Sequence, residues 1–154
     1  MLGARIVAAL LLAAILSPAA VAQQPHSDAA TARSMLERAI RELQVDRAAA
    51  LRMFADPSAF RALGGQIYVS CFDRITGKLA TGQNTGADVR SLKDKNGRAW
   101  GQEVYDVGQR PEGEIVELSY MAPKPGPDRT EVPKTSFVAR VPNTELVCGV
   151  GYYP

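Results

Sequence analysis

The residues able to do chemistry in this 154-residue chain are few. The single histidine, His26, stands in a polar stretch with no apolar surroundings to fix its geometry. A nucleophile needs a base within hydrogen-bond reach, and no other side chain pattern supplies one. Cys71 and Cys148 join no histidine at metal-ligand spacing. No glycine-rich loop runs into Lys-Ser or Lys-Thr to cradle a phosphate, and no carboxylate pair stands out. The chain therefore does not read as an enzyme, and no metal or cofactor is expected. What remains is recognition chemistry. Tyrosines and the one tryptophan supply apolar walls with hydroxyl or N–H edges, and Lys134 supplies a charge for an anionic group. Each aromatic taken alone reads as core packing before it reads as a binding wall. Lys134 differs, because a lysine between apolar strand residues needs an exit to water or a partner. It directly follows Pro133, so alternation does not tell which way it points.

Two of the elements that must position these residues lie at the end of the chain. Phe137, Ala139 and Val141 alternate with Ser136, Val138 and Arg140, the two-residue period of a strand. Pro142-Asn143-Thr144 makes a turn. Leu146, Cys148, Val150 and Tyr152 then alternate with Val147, Gly149, Gly151 and Tyr153. The first set can pack on a core. The second leaves two positions without side chains, where a ligand or another backbone can come close.

The other end of the chain reads as processing. Residues 1–22 carry one charge, Arg5, then an apolar run from Ile6 to Leu16, and end in Ala20-Val21-Ala22. That is the pattern of a cleaved secretory signal peptide, and the run is too short to span about 30 Å of hydrocarbon. The expected product is a soluble periplasmic or secreted protein beginning at Gln23, without a cytoplasmic half. Residues 23–30 read as a flexible leader and residues 31–154 as one domain. The formal charge of +2, one less without Arg5, gives no case for nucleic acid or anionic lipid. Two cysteines in an oxidising compartment permit a disulfide without requiring it.

Residues 31–54 are rich in Ala, Arg, Glu and Leu and free of Gly and Pro, which predicts a long helix. Met35, Leu36, Ala39, Ile40 and Leu43 form its apolar stripe, which suits the chain's own sheet or a dimer surface. The stripe loses phase near Asp46, which either caps a second helix or marks a bend. Residues 66–72 form a strand, with Ile67, Val69 and Cys71 facing one way and Tyr68, Ser70 and Phe72 the other. A turn leads to a short second strand at 78–81. Residues 82–97 are loop-like, and their Arg90, Lys93, Lys95 and Arg98 read as solvated surface diluted by Asp88 and Asp94. A short helix follows over 98–109, with Trp100, Val104 and Val107 on one side. Residues 114–120 form a third strand. The prolines at 123, 125, 127 and 133 mark a stiff loop before the fourth. The sum is an α+β domain with one antiparallel sheet.

The order of these elements and several local strings resemble the single Cache domain family, extracytoplasmic sensor modules with a PAS-like five-stranded antiparallel sheet. The strings are Ala48-Ala49-Ala50-Leu51-Arg52-Met53-Phe54, Gly65-Gln66-Ile67-Tyr68-Val69, Gly86-Ala87-Asp88-Val89-Arg90 with Asp94-Lys95-Asn96-Gly97, Pro133-Lys134-Thr135-Ser136-Phe137-Val138, and Gly149-Val150-Gly151-Tyr152-Tyr153. The resemblance implies a long N-terminal helix, a short helix between strands two and three, and a pocket for small organic ligands, often carboxylates. It places the strand-one tyrosine on Tyr68 and the Pro-Lys lead-in on Pro133-Lys134. The chain departs from the pattern at Thr81-Gly82, where many members have His-Pro, and at Met121 and Phe137, where aromatic and tyrosine residues are usual.

The ligand set that follows is Tyr68, Trp100, Tyr105, Tyr120, Lys134 and Tyr152. In the resembled fold strand one and the last strand are central neighbours, which puts Cys71 and Cys148 within range of a disulfide. Two free buried cysteines are the alternative. Two functions stay open. One is an exported small-molecule-binding module, for an organic acid, that serves a separate membrane receptor or transporter. The other is a ligand-free domain that docks or forms a homodimer through its long helix.

Overall fold

The computed structural model describes residues 28–154, so the signal-peptide reading and all but the last three residues of the leader lie outside it. Those three residues open the first helix. Helix α1 spans Asp28–Val45, with Asp28 in its first turn, where a negative charge opposes the helix dipole. Of the two readings at Asp46, the cap of a second helix is the one found. Asp46 adopts extended backbone and caps α2, Arg47–Ala55, its carboxylate accepting from the Ala49 N–H at 2.9 Å. Such a cap contributes about 1 kcal/mol. It explains the phase loss, because the stripe restarts on a new axis and leaves Val45 85% exposed.

Five strands follow: β1 Arg61–Ala62, β2 Ile67–Asp73, β3 Ile115–Pro123, β4 Glu131–Arg140 and β5 Leu146–Tyr152. They form one antiparallel sheet in the order β1-β2-β5-β4-β3. Between β2 and β3 lies helix α3, Trp100–Asp106, continued by a 3-10 turn at Val107–Gln109. Among the described residues no helix is long and apolar enough to cross a membrane.

Alternation along β2, β4 and β5 divides two cores. Leu36, Ala39 and Leu43 of α1, with Phe54 of α2, are buried against Val69, Cys71, Phe137, Ala139, Cys148 and Val150 on one face. The α1 stripe thus covers the chain's own sheet. Each large apolar side chain fully buried there stabilises the fold by roughly 1.5–3 kcal/mol relative to exposure. On the opposite face Phe72, Val138 and Val147 pack with Leu79, Val89, Val104 and Val107 from the long connection and α3.

The strand expected at 78–81 is absent. Only isolated bridges, Phe72 to Leu79 and Lys78 to Asp88, mark it. The reason is local: the Cys71 N–H donates to the Thr81 hydroxyl at 3.0 Å instead of to a backbone carbonyl, and Thr81 is buried. The sheet still has five strands, because Arg61–Ala62 pairs with Ile67 and Tyr68. The proline-rich segment is more regular than expected. Pro133 lies within β4 opposite Met121. Pairing to β5 begins at Thr135, so Pro133 has a strand on one side only, where a missing N–H is tolerated.

Candidate functional site

The face of the sheet away from α1 is incompletely filled. Val138, Ser136 and Lys134 of β4, Gly149 and Gly151 of β5, and Tyr68 and Ser70 of β2 floor a cavity of about 400 Å³. Trp100 and Val104 of α3, Val89 and Leu92 before it, and Tyr120 of β3 wall it. This size suits a small molecule.

Lys134 is the chemical centre of the cavity. It is buried, 8% exposed, yet among the described residues no carboxylate pairs with it. Its Nζ donates one long hydrogen bond, 3.4 Å, to the Tyr68 hydroxyl. Two aromatic faces enclose the nitrogen, with the ring centres of Tyr68 at 4.9 Å and Tyr153 at 5.2 Å, so cation–π attraction replaces part of the lost hydration. Burial pulls the amine down from 10.5 to about 8, since withdrawal from water disfavours the charged form. The same effect raises the phenols around it: Tyr68 and Tyr120 go up, and Tyr153 is pushed up to about 12. All three stay neutral donors near neutral pH.

Further hydroxyls line the same cavity. Tyr120 Oη and Ser136 Oγ share a hydrogen bond at 2.8 Å. Trp100 lies flat on Tyr120, ring centres 4.2 Å apart and planes 7° from parallel. The Tyr153 hydroxyl donates to the Pro123 carbonyl at 2.8 Å, tying the end of the chain to β3. Exposed Lys93 and Arg129 and the partly exposed Glu131 also line the cavity. The Glu131 carboxylate accepts from the Lys95 N–H at 2.9 Å. With Lys134, the lining carries three cationic residues against one anionic, which favours an anionic guest.

No protein-family model and no curated protein matches the chain. Solved structures do. The chain superimposes on a methyl-accepting chemotaxis protein from Vibrio parahaemolyticus with a TM-score of 0.59 at 18% identity, over 80% of this chain and 86% of that one. It matches the periplasmic sensor domain of a chemotaxis protein with a TM-score of 0.57 at 26% identity, over 80% and 88%. It also matches a Cache chemosensory domain solved for its carboxylic acid recognition, with a TM-score of 0.59 at 21% identity, over 80% and 86%. The fold is that of a Cache-type sensor domain.

Within this Cache-type fold four of the six expected ligand residues line the cavity: Tyr68, Trp100, Tyr120 and Lys134. The other two do not. Tyr152 has the parity of Cys148 and Val150 and packs on the α1 side, its ring 6.1 Å from that of Phe137. Its neighbour Tyr153 is the tyrosine that meets Lys134, and the alternation along β5 already put it on the Gly149 and Gly151 side. Tyr105 is one residue past Val104 on α3, which turns it about 100° away from the cavity. Its hydroxyl donates to the Arg74 carbonyl at 2.9 Å and its ring lies 6.0 Å from Phe72. Of the expected surface cluster, Arg90 pairs with Asp88 and Arg98 with Glu103, while Lys93 reaches the cavity.

Gly151 holds the space that Lys134 uses. A Cβ there would overlap Lys134 Cε and Ser136 Oγ. Gly151→Ala is therefore expected to push the lysine off its position. Overpacking of this kind costs about 1–3 kcal/mol, and acid binding should fall at least about tenfold. Unchanged affinity, measured by calorimetry on the variant below its melting transition, would show that the lysine's position does not matter.

Proposed function

We propose that this chain is an extracytoplasmic sensor-type domain that binds a small organic acid in the cavity behind its sheet. One observation carries this reading: a buried lysine that meets no carboxylate among the described residues, open to a cavity of about 400 Å³. A carboxylate completes what the fold leaves unpaired, because a buried ammonium is costly until it is paired and hydrogen-bonded. The carboxylate would accept from Lys134 Nζ, with the Tyr68 hydroxyl and the one free proton of the Tyr120–Ser136 pair as further donors. Trp100 would cover the ligand's body. The carboxylic acid recognition of the similar Cache domain supports the same ligand class.

A thermal-shift screen of small organic acids tests the reading, since a ligand of the folded state stabilises it by about 2.7 kcal/mol at a hundredfold excess over Kd. Stabilisation by carboxylates and not by their amides is expected. No stabilisation by any acid would favour the alternative, a ligand-free docking domain. That alternative has less surface than the sequence offered it, because Leu36, Ala39 and Leu43 are buried against the sheet.

The location follows from the signal peptide read in residues 1–22. Cleavage after Ala22 would deliver the domain to the periplasm or beyond, where it could present its ligand state to a membrane receptor or transporter. N-terminal sequencing of the secreted or periplasmic fraction is expected to begin at Gln23. An intact Met1 on membrane-bound protein would contradict this.

A further inference from the structure

Lys134 has the surroundings of a nucleophile as well as those of an ion-pair partner. Lysines become nucleophilic when apolar walls withdraw them from water and no carboxylate holds their proton. Both conditions hold here: among the described residues Nζ has only the Tyr68 hydroxyl, at 3.4 Å, as a hydrogen-bond partner, and aromatic rings on two sides. The cavity gives a small molecule room beside the amine. Proton donors are present too, since burial keeps the Tyr68 and Tyr120 phenols neutral.

We propose that Lys134 forms a reversible imine with a small aldehyde acid or 2-oxo acid held in this cavity. The inference rests on the acid-binding reading and narrows it to acids that carry a carbonyl next to the carboxylate. The neutral amine adds to the carbonyl carbon, forming the C–N bond, while the carbonyl oxygen takes up a proton from the Tyr68 hydroxyl. One amine proton returns to that oxygen position of Tyr68, the hydroxyl of the carbinolamine leaves as water with the second, and C=N remains. Nothing is oxidised or reduced. Protonated, the imine keeps a positive charge on the same nitrogen, beside the ligand's own carboxylate, so the pairing that favours the acid survives the covalent step. The burial that lowers the amine to about 8 leaves a share of it neutral at mildly alkaline pH, which the addition needs. The charged and titratable groups around it are Tyr68 of β2, whose ring Arg61 covers, Tyr120 of β3, Glu131 at the start of β4 with Arg129 just before it, Tyr153 after β5, and Lys93 from the long connection.

The test uses the full chain, glyoxylate as the probe, and cyanoborohydride to trap any imine as a secondary amine. A single adduct is expected, heavier than the chain by glyoxylic acid less one oxygen atom, and mapped to Lys134. Glycolate, which lacks the carbonyl, is expected to bind without an adduct and to block labelling by glyoxylate. Lys134→Arg, which has no amine to add and binds the acid poorly, is expected to lose the adduct even at glyoxylate concentrations that saturate it. Adducts scattered over the surface lysines, or none while calorimetry still shows glyoxylate and glycolate binding, would overturn the imine and leave acid binding standing. Failure of both acids to bind would overturn the two together.

Discussion

Lys134→Ala is expected to weaken binding of the best acid from the thermal screen by roughly 2–5 kcal/mol, the range for removing one partner of a desolvated charge pair. That is about 30-fold or more in Kd. The size follows from burial. An exposed lysine would give well under 1 kcal/mol or so, but Lys134 is 8% exposed and meets no carboxylate among the described residues. Lys134→Arg should bind poorly as well. A planar fork does not replace a compact ammonium in a space bounded by Gly151, Ser136 and two aromatic rings. Calorimetry of the three proteins checks this. Equal affinities in wild type and Lys134→Ala would mean that the lysine snorkels to solvent through the cavity mouth.

The alanine variant also reports on the free protein. Removing a buried ammonium removes its desolvation cost, so Lys134→Ala should lose affinity without losing stability. A melting temperature equal to or above that of the wild type is expected, unlike the outcome of an ordinary core truncation.

Replacing Cys71 and Cys148 together by alanine is expected to cost about 2–5 kcal/mol of stability. The two cysteines are direct partners in the β2–β5 register, with Cα atoms 4.1 Å apart, and their bond closes a span of 77 residues. Constraining so long a loop in the unfolded chain accounts for most of the effect in the chain-entropy view, with about 4–5 kcal/mol as a ceiling. Both side chains are fully buried between the helices and the sheet, so a reductant should act slowly on the native protein and quickly once denaturant opens it. Urea unfolding of the wild type and the double variant measures the difference. Uptake of two alkyl groups by the denatured, unreduced protein would show that no bond had formed.

The parts of this molecule that were legible in its sequence are those where one physical rule acts alone. Ile67 to Phe72, Ser136 to Val141 and Leu146 to Tyr153 alternate because one face of the sheet meets α1 and the other the cavity, so period two carried the facing of nearly every side chain. The β1 strand was not legible, because two residues have no period. The false strand at 78–81 came from the opposite cause. Its residues do run beside β2, but the Thr81 side chain takes the ladder bond from Cys71, and a hydroxyl substituting for a carbonyl leaves no trace in a hydrophobic pattern.

The site shows the same division. Lys134 was marked by its type and company, while its direction waited for the observation that Pro133 sits in regular register with Met121, which carries the alternation unbroken from Lys134 through Val138. Tyr152 and Tyr105 are aromatics near the right elements. Strand parity excludes the first and helical rotation the second, and both rules were available from the sequence.

If the Lys134 ammonium holds a carboxylate inside the cavity, binding must depend on pH. In the free protein burial brings the amine down from 10.5 to about 8. A carboxylate needs the charged form, so affinity should be level below about pH 8 and fall by up to about tenfold per pH unit above it. Stability of the free fold should run the other way. Between 8 and 10.5 the unfolded chain still binds the proton that the folded chain releases, so stability rises with pH across that window. Calorimetric titration of the screen's best acid from about pH 6 to 10, on wild type and Lys134→Ala, reads the first effect. A decline above about pH 8 is expected in the wild type, with proton uptake on binding there, and a flat profile in the variant. A wild-type affinity that does not change with pH, or the same decline in both proteins, would contradict it.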